Sequence, residues 1–425
     1  MKQRLTLLLL LGAAALPLSA AEWAFEPGVE GRYRYDDNLR LQRQDEVDVH
    51  EGALRAWADF SRRTARSELT GALEVTERRF DEDGLDTTDG RFDLLSFYNL
   101  SPRQRVSLDF NLIKDTTLDS LLEETGIVFD RIDRTRATLT PGWLYSLDEK
   151  TQLSANIGLT DVNYDDENVR TGLGDYRNYS LNLSAARNFT PQTRIILAAG
   201  ASRFERDDNT IESDNQQLTL GFEHQYSERI SLGGSVGARR TETTLRQGAF
   251  VCPAGFDRTD FFEFLFTGAP CIDRSTGATS DLVQTTFTRD SGSTGFVGNF
   301  NAGYDLERGR LTLSANRSVQ PNAFSGTTVT DSLVAVFEHR FSERLQADIR
   351  VQWTRSEDSS DNDLRLDQSF IRVTPGLRWR LTRDWSFRAS YRYTEQSREN
   401  TGQDATSNAA TLSLSYQWPK MAVSR

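Results

Sequence analysis

Beyond its first 20 residues the chain has no apolar run close to the roughly 20 residues that a spanning helix needs, which excludes a helical membrane protein. Histidine and cysteine are scarce. His50, His224 and His339, with Cys252 and Cys271, leave little for metal or thiol chemistry among 425 residues, and nothing calls for a cofactor. Lysine is nearly missing as well (Lys2, Lys114, Lys150 and Lys420), so almost all of the 50 basic residues are arginine. With 62 acidic residues and a net charge of −12, the chain has no basic block and lacks the phosphate-binding footprint of a nucleic-acid binder. No helix-period segment of useful length is present. Aromatics, by contrast, are plentiful: 24 Phe, 12 Tyr and 7 Trp are too many for a solvated, disordered chain.

The first residues read as a secretory address. Met1 to Arg4 is short and basic, Leu5 to Leu18 is apolar, and Ser19-Ala20-Ala21 is small, the order of a signal peptide. The expected cut follows Ala21, giving a leader over 1–21. No cysteine follows the cut, so a lipoprotein is not expected. Secretion makes a Cys252–Cys271 disulfide chemically allowed, and that pairing is the expectation.

From Glu22 on, apolar and polar residues alternate with period two, which puts the two sets on opposite faces of a strand. In Val29 to Tyr35 the apolar set is Val29, Gly31, Tyr33 and Tyr35, while Glu30, Arg32 and Arg34 oppose it. The same split recurs in Val106–Leu112, Leu345–Trp353, Trp385–Tyr393 and Thr411–Trp418. Eight short polar turns are expected at 61–67, 101–105, 146–150, 190–193, 227–229, 307–310, 342–344 and 382–384. Longer loops rich in Asp, Asn, Gly and Ser lie between them. Eight turns imply about nine hairpins, hence about 18 strands. A sandwich or propeller is the alternative, but so many long strands exceed one sandwich. Aromatics near the strand ends (Trp143, Tyr145, Phe189, Tyr226, Phe341, Trp379, Trp385, Tyr416, Trp418) favour the girdles of a bilayer barrel. The expectation is a transmembrane antiparallel up-and-down β-barrel in the bacterial outer membrane over 22–418. Its short turns face the periplasm, and 419–425 forms a periplasmic tail. Outer-membrane lipid and lipopolysaccharide are then its immediate surroundings.

In such a barrel the polar set lines a lumen. Ser154, Asn156, Thr160, Asn182, Asn299, Asn301 and Ser314 suit water or sugar hydroxyls. Several arginines fall on inward positions near the barrel closure: Arg32 and Arg34 on the first strand, Arg372 and Arg378 on the sixteenth, Arg388 and Arg392 on the seventeenth. One reading is a wall that lowers the barrier for an anionic sugar or polymer. The plainer reading is ion pairing with lumen carboxylates such as Glu30, Glu68, Glu74, Asp109 and Asp348. The largest connection, about Thr241 to Ser293, carries both cysteines and the apolar run Phe261–Phe266. It reads either as a lid or constriction or as a compact surface loop. Acidic clusters at 36–38, 165–168, 207–209 and 361–363 could hold Ca²⁺, but they lack the spacing of a calcium loop and fit turn chemistry. No catalytic constellation stands out; His224 and His339 sit on apolar-face positions without a serine partner.

The opening Glu26-Pro-Gly-Val-Glu-Gly-Arg-Tyr-Arg-Tyr-Asp-Asp-Asn38-Leu39 resembles the start of the β-barrel porin 2 family, whose members often open with a strand ending in Tyr-Asp-Asp-Asn. Thr140-Pro-Gly142 and Thr374-Pro-Gly376 echo Glu26-Pro-Gly28, and these steps are expected at strand edges or bulges. The resemblance implies a conduit for an exopolysaccharide, anionic or neutral, working with periplasmic export machinery, and it implies no catalytic residues. A general or sugar-selective diffusion porin and a structural or adhesive surface barrel are the rival readings.

Overall fold

The computed structural model describes residues 21–44, 46–117, 131–165, 174–259, 269–322, 326–358, 368–398 and 403–424. The expected leader (all but Ala21), the Phe261–Phe266 run and the cluster at 361–363 lie outside the described residues.

The alternating segments become long antiparallel strands. They are β1 (Glu22–Asp36), β2 (Val49–Arg63), β3 (Ser67–Phe80), β4 (Thr87–Ser101), β5 (Gln104–Thr116), β6 (Asp133–Ser146), β7 (Thr151–Tyr164), β8 (Tyr176–Asn188), β9 (Thr193–Arg206), β10 (Ile211–Gln225) and β11 (Ile230–Val251). Three two-residue strands follow as a separate small sheet: β12 (Asp257–Arg258), β13 (Cys271–Ile272) and β14 (Thr279–Ser280). The wall resumes with β15 (Val283–Leu306), β16 (Gly309–Asn322), β17 (Gly326–Arg340), β18 (Leu345–Asp358), β19 (Gln368–Arg380), β20 (Trp385–Arg398) and β21 (Gln403–Gln417), and β22 (Met421–Ser424) ends it. Each long strand pairs with the next, and β1 pairs with β21, so eighteen strands close into one barrel.

Period-two alternation sorts the faces. Leu54, Leu197, Leu218, Leu220, Val236 and Phe296 are each more than half exposed on the outer surface. In water each such side chain forgoes about 1.5–3 kcal/mol of burial; hydrocarbon restores it. Trp143, Phe189, Tyr226, Phe341, Trp379, Trp385 and Trp418 ring the end with the short turns. Closure leaves no unpaired edge around the wall, which a backbone in lipid requires. An even-stranded antiparallel barrel with an apolar belt, an aromatic girdle and a polar inside is the architecture of a bacterial outer-membrane barrel, and that is where this chain resides.

Three details differ from the sequence reading. The Pro-Gly steps are not bulges: strand register is the same on either side of Pro141 and Pro375, and Pro27 lies mid-strand. The long connection is much shorter than 241–293, because Thr241–Val251 and Val283–Ser293 continue β11 and β15 as one ribbon of 22 paired residues. The segment 421–424 is a strand paired with Glu22–Phe25, with Lys420 bound to Glu26 at 3.2 Å.

Candidate functional site: the lumen and its mouth

The inward face divides into two sectors. Along β7 and β8 it carries no charge in mid-strand: Ser154, Asn156 and Thr160 face Ser184, Asn182 and Asn178. Hydroxyls and amides continue through Asn215 and Gln217 on β10, Asn299 and Asn301 on β15, and Thr312, Ser314 and Asn316 on β16. Such groups exchange hydrogen bonds with water or with sugar hydroxyls, so this half can be wet at little cost. The other half, β18 through β21 and on to β5, is charged and largely self-paired.

The six predicted arginines all face this charged sector, and carboxylates among the described residues hold Arg32, Arg34, Arg388 and Arg392. Arg32 reaches Glu51 at 2.6 Å and Arg34 reaches the same carboxylate at 3.2 Å. Arg392 lies 3.3 Å from Asp36, and Arg388 lies 2.8 Å from Asp348. Arg372 is buried with its guanidinium 5.3 Å from the Phe370 ring centre. Arg378 is exposed in the lumen, directly opposite Arg388. The pairing partners are therefore Glu51, Asp36 and Asp348. Of the other carboxylates suggested by the sequence, Glu74 takes Arg55 and Glu68 takes Arg63. Glu30 and Asp109 have no arginine in ion-pair range among the described residues. Guanidinium–carboxylate pairing of this kind removes most of the free positive potential that a bare arginine wall would offer.

The Pro-Gly steps make room inside. A Cβ on Gly28 would stand 2.1 Å from the inward-facing Trp57 ring, and one on Gly376 would stand 2.6 Å from Arg388 and 3.0 Å from Asp348. At Gly142 it would meet Ser107 and Asn156. Each glycine thus lets a neighbouring strand's side chain lie flat across the wall.

The mouth is lined by packed side chains. Near the long-loop end, inward side chains from most of the circumference are withdrawn from solvent: Glu51 0 %, Val162 1 %, Phe204 1 %, Ser213 2 %, Thr241 2 %, Phe370 2 % and Gln396 1 % exposed. In an open pore they would face water. Two apolar clusters pack there, one of Ile132, Val162, Tyr164, Tyr176, Phe204 and Ile211, the other of Val49 and Leu85 with Leu39, Val47 and Phe80. The acidic cluster at 36–38 clamps the barrel seam. Asp36 accepts from Ser407 at 2.8 Å, Asp37 accepts from the Asn408 backbone and side chain at 2.6 and 2.8 Å, and Asn38 donates to the Thr406 carbonyl at 2.9 Å.

A hairpin adds to this packing. Pairing between β15 and β16 stops at Gly298–Arg317, while β16 and β17 stay paired to Asn322–Gly326. Above Arg317 this hairpin leaves the wall and turns inward, and β17 packs against β9 and β10. Thr327 Oγ1 lies 3.3 Å from Ser213 Oγ on β10, three strands along the wall from β16, and Thr327 through Thr330 are all buried. The sequence reading missed this element; the available signal was Pro321, a residue suited to a strand edge without a ladder partner. The Cys252–Cys271 disulfide is formed, and the described part of its loop is the small sheet above the barrel.

The histidines lie among outer-face aromatics. Thr193 and the His224 ring share a hydrogen bond of 3.0 Å, His339 stacks on Phe337 and meets Phe341 edge-on, and His50 bonds Tyr33 at 2.6 Å.

No family model and no curated protein matches the chain. Among solved structures it is similar to the outer membrane protein OpdK of Pseudomonas aeruginosa, at 12 % identity over 94 % of this chain and 99 % of that one, with a TM-score of 0.48. OccAB3 of Acinetobacter baumannii shows 10 % identity over 94 % and 99 %, with a TM-score of 0.44. The copper transporter OprC shows 12 % identity and a TM-score of 0.47 over 89 % of this chain, which spans only 64 % of OprC. Likenesses so distant transfer no cargo, and the fold rests on the strand pairing itself.

Proposed function

We propose that the chain is a gated outer-membrane channel for a hydroxyl-rich cargo, an exopolysaccharide leaving the cell under the drive of periplasmic export machinery. One observation carries the reading: a hydroxyl- and amide-lined half-lumen lies beneath a mouth where inward side chains pack and the β16–β17 hairpin folds inward. A polymer conduit must be shut between transits, because an open barrel of this size would leak small solutes; a general diffusion porin has no use for such closure. The resemblance of the first strand to the β-barrel porin 2 family points the same way. The chain contributes a path and a lining, no chemistry of its own, and its outer belt meets lipid and lipopolysaccharide.

A diffusion porin for small anions is the second reading. Arg350, Arg378 and Arg380 favour it, since all three are exposed and no carboxylate pairs with them among the described residues. Planar-bilayer recording of the purified barrel separates the two. The export reading expects rare, brief openings and loss of secreted polysaccharide when the gene is deleted from its host. Steady anion-selective conductance with normal secretion would replace it by the porin reading, and no conductance in any form by a structural surface barrel.

A further inference from the structure

Below the Ser213–Thr327 contact lies a cavity of about 220 Å³ between the inner wall of β8 to β10 and the inturned hairpin. One side is built from Asn178 and Asn182 on β8 and from Asn215 and Gln217 on β10; the inturned hairpin supplies Gln320 and Thr327 from the other, and buried Phe204 closes one end. Every polar group lining it is an amide or a hydroxyl, and no charged side chain contributes. Side-chain amides offer donors and acceptors together, which is what a sugar hydroxyl needs, since it also gives and takes. A carboxylate in the same place would leave water without meeting a cation on the lining, a costly exchange.

We propose that this cavity is a binding subsite for one neutral pyranose unit, and that its occupation holds the mouth shut. The inference rests on the sugar-conduit reading above and narrows it to an uncharged cargo. The sign of the effect follows from the geometry. The amides of β8 and β10 face the hairpin's Gln320 and Thr327 only while the hairpin is folded in, so a sugar touching both sides is bound by the closed state and not by the open one. A ligand shifts such an equilibrium toward the state it binds better. Free neutral sugar therefore stabilises closure, and a chain passing through must displace it.

The test uses the full-length barrel in detergent and in planar bilayers, with maltotriose as the neutral probe and trigalacturonate as its anionic counterpart. Calorimetric titration is expected to show saturable maltotriose binding at least tenfold tighter than trigalacturonate binding. Maltotriose is expected to lower the frequency of openings. Gln217→Leu with Asn182→Leu is expected to weaken maltotriose binding at least tenfold; should that pair fail to fold, judged by heat-modifiable migration on gels, Asn178→Ser and Gln217→Ala serve instead. In a second variant, Asn-Gly joins Ser318 directly to Thr330, keeping their register but removing the inturned tip. Its openings are expected to be frequent and indifferent to maltotriose. Equal or tighter binding of trigalacturonate, unchanged binding in the amide variants, or absence of saturable binding would overturn the subsite while leaving the channel reading intact. Absence of conductance in the shortened variant would instead overturn the channel reading itself.

Discussion

Glu51 shows what a single inward residue does here. Its side chain is 0 % exposed and takes both Arg32 and Arg34. Removing one member of a buried ion pair strands the remaining charges, a loss of about 3–5 kcal/mol. Glu51→Gln is therefore expected to lower barrel stability by about 3 kcal/mol, read as a lower temperature at which the compact band on a detergent gel becomes the unfolded one. An unchanged transition would mean that water already screens the pair. Gly28 makes the complementary case, since its missing Cβ is the space that Trp57 occupies. Gly28→Val is expected to cost about 1–3 kcal/mol by overpacking, and Gly28→Val with Trp57→Ala to recover part of it in the same assay. That a polar stripe faces inward was legible from alternation alone. Which carboxylate each arginine takes was not, because Glu51 reaches its partners from the next strand and Asp36 reaches Arg392 across β21, and no local pattern encodes those registers.

At the scale of elements, the loop closed by Cys252 and Cys271 has its own small sheet and turn. Closing a loop of about 20 residues contributes roughly 3 kcal/mol in the chain-entropy model. With both cysteines changed to serine, the loop is expected to become protease-sensitive while the barrel's thermal transition stays put, since the loop stands above the wall. Next to it, Asp273 accepts from the Ser275 and Thr276 hydroxyls at 2.6 Å each, and Gly277 takes the positive φ of 70° that lets the turn close. Those hydroxyls, with the Ser275 amide, hold the Asp273 carboxyl at about 2, below its ordinary 3.8. The native value being depressed, this contribution is fully present above about pH 4 and is lost as pH falls through about 2. NMR titration of Asp273 checks it: a midpoint near 3.8 would mean that the turn does not form. All eight short turns were legible: seven carry Ser, Thr or Asp, residues that bond nearby backbone, and the turn at 307–310 carries Gly309 among charged residues. Asp148 and Ser342, for instance, accept from N–H groups two and three residues on.

Across the whole molecule, two pairings among the eighteen long strands are the shortest, nine residue pairs each: β1–β21 at the seam and β15–β16 beside the inturned hairpin. The seam is reinforced at one end by Asp36, Asp37 and Asn38 and at the other by β22. The second short pairing has no such clamp among the described residues, and there the hairpin parts from the wall. Asp37→Ala removes two hydrogen bonds to Asn408 and is expected to destabilise the closed barrel by about 2 kcal/mol. Hydrogen exchange should rise along the seam, at 406–410, before it rises elsewhere; uniform exchange would mean that the seam is no weaker than the rest.

By itself the amino-acid sequence determined the barrel: the strand count, the inward and outward faces, the short turns and the disulfide. Each of these follows from interactions between neighbours along the chain or from a period of two repeated in every strand. Only the tertiary structure decided how the mouth is packed and where the hairpin folds. Ser213 and Thr327 stand 114 residues apart. They meet because β16 outgrows its pairing with β15 and the freed hairpin buries its threonines against β9 and β10, an outcome set by the competition between ladder hydrogen bonds and packing inside the lumen rather than by any local pattern.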